Sequence, residues 1–157
     1  MHLSSLYVIL GFALTISAQP PKAGSVHNNG ERERCGVVAF QPDGKIWMVE
    51  SKSEGWILPK GGYDVNEDSS WEDCVVREAA EEAGAVIDRD SITRLHVDEG
   101  TLYWFKAKVL SHGPRKDRTL ATRKQPITVT AAEAMELLKT GSQKKKRGMQ
   151  RALHAAI

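Results

Sequence analysis

Residues 56–85 read WILPKGGYDVNEDSSWEDCVVREAAEEAGA, and this run decides the fold. It opens as an apolar strand end, turns at Gly61 and Gly62, crosses an acidic loop and becomes a helix with the core REAAEEAG. Ser69 is placed to cap that helix, with Glu72 three residues later closing a capping box, and Gly84 supplies a left-handed stop. Glu78 and Glu82 are four residues apart and Glu81 is three from Glu78, so the three carboxylates share one helical face. Val75, Val76, Ala79, Ala80 and Ala83 fill the other side and predict packing on a sheet.

Like charges at this spacing cost a helix a few tenths of a kcal/mol per pair. Arg77 is the only cation between Gly61 and Arg89, so the stripe is not balanced by interleaved lysines. A divalent cation removes the repulsion, and Mg2+ or Mn2+ takes carboxylate oxygens while keeping waters for substrate phosphates. The plain alternative is a solvated acidic face.

The run Gly61-x5-Glu67 followed by Arg77-Glu78-Ala79-Ala80-Glu81-Glu82-Ala83-Gly84-Ala85 resembles the signature of the Nudix hydrolase family. One departure stands out: nine residues separate Glu67 from Arg77, where the family places seven. The resemblance implies an α/β fold, the Nudix α/β/α sandwich with a mixed β-sheet, and metal-dependent cleavage of a phosphoanhydride. It further implies that Glu78 and Glu82 ligate Mg2+ or Mn2+, with Glu81 as a further ligand or the base that activates water. Gly61 and Gly62 would let the backbone approach metal and phosphates closely. Arg77 is expected to tie the helix to the loop by pairing with a carboxylate.

Within the family the chain resembles diphosphoinositol polyphosphate phosphohydrolases over residues 32–153. That likeness rests on WILPKGG, with Lys60, ahead of the acidic loop; on Arg32 and Arg34 before the first strand; and on Ser51, Lys52 and Ser53 as a phosphate-gripping run. Lys144 and Lys145, at the start of the last helix, would add to the grip. The implied substrate is an inositol pyrophosphate. The alternatives are a nucleotide-directed enzyme acting on dinucleoside polyphosphates, ADP-ribose, NADH or capped RNA, and a non-catalytic secreted module binding a polyanion or a protein. The expected partner is a small polyphosphate rather than nucleic acid, met by a monomer.

Outside this region the chain reads as one domain. Residues 1–21 hold no Lys, Arg, Asp or Glu, and residues 6–16 form an apolar block too short for a comfortable membrane span. With Ser17 and Ala18 before Gln19, residues 1–18 read as a secretory signal peptide, an uncleaved anchor being the alternative. The expectation is therefore a secreted protein acting as an effector inside another cell. Residues 19–31 are polar and Gly/Asn-rich, an expected mobile arm, and residues 32–157 form the catalytic domain. With 22 Lys and Arg against 20 Asp and Glu, the net charge is +2, so no strong polyelectrolyte character governs the whole chain. Cys35 and Cys74 could pair in a secreted domain, but two cysteines make no disulfide framework, so a free core thiol is the default expectation for each and the sequence leaves the pairing open.

Strands are predicted at residues 35–40, 46–51, 56–58, 93–96, 102–110 and 126–129, from apolar runs bounded by turn residues. Two helices close the chain, one starting at a capping box of Thr130 and Glu133 and one running from Gln143.

Overall fold

The computed structural model describes residues 30–97 and 100–157; the signal-peptide reading and most of the arm lie outside the described residues. Eight strands build one mixed sheet in the order β3-β2-β1-β7-β5. Its spine is β1 (Arg34–Phe40) lying parallel to β7 (Leu102–His112) in seven-residue register, from Arg34 opposite Leu102 to Phe40 opposite Lys108. Both strands are apolar on most positions because helices cover both faces.

β2 (Ile46–Ser51) returns from β1 through a turn in which Gly44 takes a left-handed φ of 81°. β3 (Gly55–Ile57) pairs with β2, and β4 (Lys60–Gly62) folds back on β1 with Gly61 opposite Cys35. β5 (Ala85–Ile87) and β6 (Thr93–Leu95) both run antiparallel to β7, and β8 (Ile127–Val129) to β2. The strand pieces β4 and β5 were not foreseen. Three-residue strands carry no period, and Gly61-Gly62 reads as a turn until β1 offers it a partner.

Helix α1 (Trp71–Glu78) lies on the β1 and β4 face, while α2 (Ala131–Lys139) and α3 (Gln143–Ala156) cover the other. The capping box of Thr130 and Glu133 forms as expected, with both reciprocal bonds present. The one at α1 is displaced by a residue. Ser70, not Ser69, is the N-cap, accepting from the Asp73 N–H at 3.2 Å, and Asp73 Oδ2 accepts from the Ser69 N–H at 3.0 Å.

Cys35 and Cys74 form a disulfide and are not free thiols. The pleat of β1 aims Cys35 at α1, and Cys74 sits on the buried side of that helix with its Cα 6.3 Å from that of Cys35, within bridging range. The bridge fastens the acid-bearing helix to the central strand. Its sequence separation of 39 hid this proximity.

After Glu78 the helix widens into a π-turn, Ala79–Ala83, closed by Gly84 at φ 67°. Such turns have one residue more per hydrogen-bonded ring than an α-helix and recur at functional sites. The segment after β7 docks there through its backbone: Lys116 N–H donates to the Ala80 carbonyl at 3.2 Å and Asp117 N–H to the Glu81 carbonyl at 3.3 Å. The Gly113 carbonyl lies so close to Gly84 that a Cβ there would collide with it.

Candidate active site

The site forms where α1 and its π-turn face β4. The Glu78 carboxyl rests directly on Gly61, so closely that a Cβ on Gly61 would overlap it, which is why glycine is required. One turn on, Glu82 Oε2 accepts the Lys60 N–H at 2.9 Å. The β4 backbone thus positions both acids. Glu81 is more open, its side chain one-third exposed, and reaches Arg77 Nη1 at 3.2 Å.

Arg77 holds the assembly together. Its guanidinium takes Asp68 bidentately, Nε to Oδ1 at 2.9 Å and Nη2 to Oδ2 at 2.6 Å. Nη2 also donates to the Gly62 carbonyl at 2.8 Å, and Nη1 to Glu78 Oε1 at 2.8 Å. Paired, planar contacts of this kind are the strong form of an Arg–carboxylate interaction. Arg77 therefore ties helix to loop, as its sequence position implied.

The acid partner is Asp68 rather than Glu67. The Asp68 side chain is 1% exposed, whereas that of Glu67 is 60% exposed and stands 3.6 Å from Arg77 Nε. Counting from Gly62 restores five intervening residues to Asp68, so the loop is one residue longer than the family spacing, not two. The loop closes on Asp68 from three sides: Asp64 N–H donates to its Oδ2, Tyr63 Oη to its carbonyl, and its own N–H to the Asp64 carbonyl.

Burial pushes the Glu78 carboxyl up to about 7 despite Arg77 beside it, and the neighbouring Glu82 and Glu81 add to the rise. Burial also raises Glu82, opposed by the Lys60 N–H, the Lys60 ammonium and Arg123. The Lys60 ammonium is pushed down by burial, with Glu82 pulling the other way. Crowded acids of raised pKa are the electrostatic mark of a site that gains from a further cation.

Among the described residues no three His, Cys, Asp or Glu are grouped closely enough to hold an ion as they stand, since Arg77 occupies the approach to Glu78 and Glu81. The donor chemistry nonetheless fits Mg2+ or Mn2+, which take one or two hard carboxylate ligands and complete their shell with water and phosphate oxygens. Glu78 and Glu82 would hold such an ion. Gly62, also expected near it, gives its carbonyl to Arg77.

The expected phosphate-gripping residues divide. Arg32 stacks over Gly62 and donates to the Tyr63 carbonyl at 3.3 Å; Arg34 opens β1 opposite Gly62. These two, with Lys60, are brought to the site. Ser51 and Ser53 are engaged locally by Glu54, through its N–H at 3.4 Å and its Oε1 at 3.1 Å. Lys145 pairs with the same Glu54 carboxylate at 2.8 Å. Lys52 and Lys144 are exposed. Next to them Lys146 is fully buried, donating to the Trp56 and Leu137 carbonyls. Asp68 was missed as the partner of Arg77, and Glu54 as the residue that engages Ser51, Ser53 and Lys145. Only the Gly62 spacing could have pointed to Asp68.

A model of the NUDIX domain matches residues 30–147. The chain belongs to the NUDIX family. Family members generally use Mg2+ or Mn2+. An RNA pyrophosphohydrolase of Caulobacter vibrioides is 34% identical over 99 residues, 60% of this chain and 54% of that protein; the same enzyme from a second strain matches equally. The chain thus spans about half the length of the curated relatives it matches. Among solved structures, a NUDIX hydrolase from Nitrosomonas europaea superposes with a TM-score of 0.57 at 20% identity, covering 78% of this chain and 87% of that one. A C. elegans Ap4A hydrolase gives 0.53 at 18% identity over 78% and 93%, and an ADP-ribose pyrophosphatase from Streptococcus suis 0.51 at 21% over 78% and 89%. At these identities the solved structures support the NUDIX fold alone.

Proposed function

We propose that this NUDIX protein hydrolyses a phosphoanhydride bond in a nucleoside-linked polyphosphate, with the 5′ end of RNA as the leading substrate class. The observation that carries the reading is the pair of buried acids, Glu78 on Gly61 and Glu82 on the Lys60 N–H, locked in place by the Arg77–Asp68 fork. A divalent ion bound there would supply positive charge to the phosphoryl oxygens as the bond breaks. Glu81, the most open of the three acids, is suited to hold a proton taken from water. Arg32, Arg34 and Lys60 give the substrate's phosphates a cationic wall.

Two observations favour a nucleotide over an inositol pyrophosphate. The relative at 34% identity is named for RNA, and the side chains that resembled an inositol-phosphate grip, Ser51, Ser53 and Lys145, are taken up by Glu54. Export through residues 1–18 remains part of the reading, and the buried disulfide suits passage through an oxidising compartment. Action inside a reducing host cytosol would require activity to survive reduction.

The test is turnover by residues 19–157 with Mg2+ on 5′-triphosphorylated RNA, a dinucleoside tetraphosphate, ADP-ribose and an inositol pyrophosphate. Metal-dependent cleavage led by a nucleotide substrate is expected. A tenfold preference for the inositol pyrophosphate would return the assignment to that class, and inertness towards all four would leave a binding module.

A further inference from the structure

The disulfide stands directly behind the acid site. Cys35 lies opposite Gly61 in the β1–β4 register, and Gly61 is the residue on which the Glu78 carboxyl rests. Cys74 precedes Glu78 by four residues, one helical turn, and both are buried on the sheet side of α1. Strand pairing, carboxyl contact, helical turn and S–S bond thus close a ring through Cys35, Gly61, Glu78 and Cys74. Arg77 Nη2, which holds Asp68 and the Gly62 carbonyl, lies 4.0 Å from Cys74 Sγ.

The apolar grip on this part of the helix is thin. The buried residues of α1 are Cys74, Val75 and Glu78, and those of the π-turn are Ala79, Ala80 and Ala83. Alanine methyls bring little apolar area to a sheet, and Glu78, Glu81 and Glu82 repel one another beside them. The contacts of Trp71 with Tyr63 and Tyr103 anchor the other end of α1, about two turns away. The polar ties of Arg77 and Glu82 run to the loop and to β4. The chain has two cysteines, so this bridge is its one covalent link between α1 and β1.

We propose that the Cys35–Cys74 bridge is a redox-sensitive strut that, when oxidised, holds Glu78 against Gly61 in the position that takes the cation and, when reduced, lets α1 lift. A thiol reductant supplies two electrons and two protons: one S–S bond breaks, two cysteine thiols form, and the reductant becomes its own disulfide. Both cysteines are fully buried, so the sulfurs are reached only as α1 moves off β1. A cation that favours the closed arrangement therefore opposes reduction by the same factor by which the bridge favours the cation. The proposal rests on the function proposed above for the ligand that Glu78 takes; the strut itself rests on the ring of four residues. It makes the site strongest in an oxidising compartment and weaker in a reducing one.

The mature protein is compared oxidised, reduced and desalted without oxygen, as C35S/C74S, and as L138A. The last opens a cavity under α2, across the sheet, and lowers stability without touching the bridge. Mn2+ binding is titrated by calorimetry where circular dichroism reports each form folded, and the Mg2+ dependence of turnover is followed. Loss of the bridge should weaken Mn2+ binding and raise the half-saturating Mg2+ concentration about fivefold or more, with the rate at saturating Mg2+ within about twofold. L138A should match the oxidised wild type in both. In a glutathione titration of the wild type, saturating Mn2+ should make the bridge harder to reduce by the same factor. Equal Mn2+ affinity with and without the bridge overturns the strut, as does an L138A weakened to the same degree. If the bridge-free forms do not fold, the glutathione titration decides, and an equilibrium indifferent to Mn2+ overturns the strut. If the oxidised wild type takes no Mn2+, the proposed function falls and amide hydrogen exchange decides the strut. Faster exchange over residues 74–83 on reduction, with α2 and α3 unchanged, keeps it; uniform exchange overturns it.

Discussion

Replacing Asp68 by Asn tests the reassigned loop most directly. The side chain is buried, makes two bonds to the Arg77 guanidinium and accepts one from the Asp64 N–H. Removing one partner of a buried ion pair costs about 3–5 kcal/mol, because the other charge is left desolvated. Arg77 is 17% exposed and keeps Glu78, Glu81 and the Gly62 carbonyl, and asparagine keeps an oxygen for Asp64, so about 2 kcal/mol is expected here. For a domain of this size that lowers Tm by roughly 6–10 °C. Glu67→Gln is the control: an exposed pair at 3.6 Å contributes about 0–0.5 kcal/mol, so its Tm should barely move. Thermal melts followed by circular dichroism, with urea titrations at 25 °C, measure both. A larger loss for Glu67→Gln than for Asp68→Asn would refute the assignment and return the acid role to the position suggested by the family motif.

The remaining expectations concern the acids and the bridge. Glu82→Gln or Glu81→Gln should lower turnover by orders of magnitude with Tm little changed; near-normal kcat in both would sink the catalytic assignment. In metal-free protein, Glu78 is protonated when folded and ionised when unfolded between its ordinary 4.5 and about 7, so its contribution to stability is full below 4.5 and is lost as pH rises through 7. Glu82, also raised, acts in the same direction, while the lowered carboxyls of Asp73 and Asp117 change only below their ordinary 3.8. Unfolding free energy should therefore fall on the order of 2 kcal/mol between pH 5 and 7.5 in chelator, and Glu78→Gln should flatten that slope. Cys35→Ser with Cys74→Ser should cost about 4 kcal/mol by loop entropy over a separation of 39 residues, read as a shift in the urea midpoint against the oxidised protein.

The long elements were legible because each carries a period or a cap of its own. The stretch 102–110 alternates well enough to be read as a long strand, which the structure extends to His112, and Thr130 with Glu133 writes the start of α2 in four letters. The acid face of REAAEEAG was legible as a pattern, since its spacing puts Glu78, Glu81 and Glu82 on one side, but the stripe alone reads equally as a solvated acidic face. What sequence could not show depends on partners distant in the chain. β4 is a strand only because β1 pairs with it, and Lys146 is buried only because α3 delivers it to carbonyls of β3 and α2. Ser69 and Ser70 are both capping residues in sequence, and in the structure Ser70 takes the cap while the Ser69 N–H donates to Asp73. The disulfide was hidden for the same reason: its separation says nothing about a pleat aiming Cys35 at a helix.

The docking of residues 116 and 117 on the π-turn has an implication for how this protein can change. Both bonds are made by amide hydrogens, to carbonyls that the widened turn presents, so any residue but proline can occupy those two positions without unseating the segment. At 116 and 117 the segment beside Glu82 is thus held by its main chain, while further along the Asp117 cap on Thr119 and the Arg115 and Arg123 bonds to backbone carbonyls fix it through side chains. Substitution at Lys116, whose main chain makes the attachment, is thus a route by which the charge beside the acids can change while the segment keeps its place.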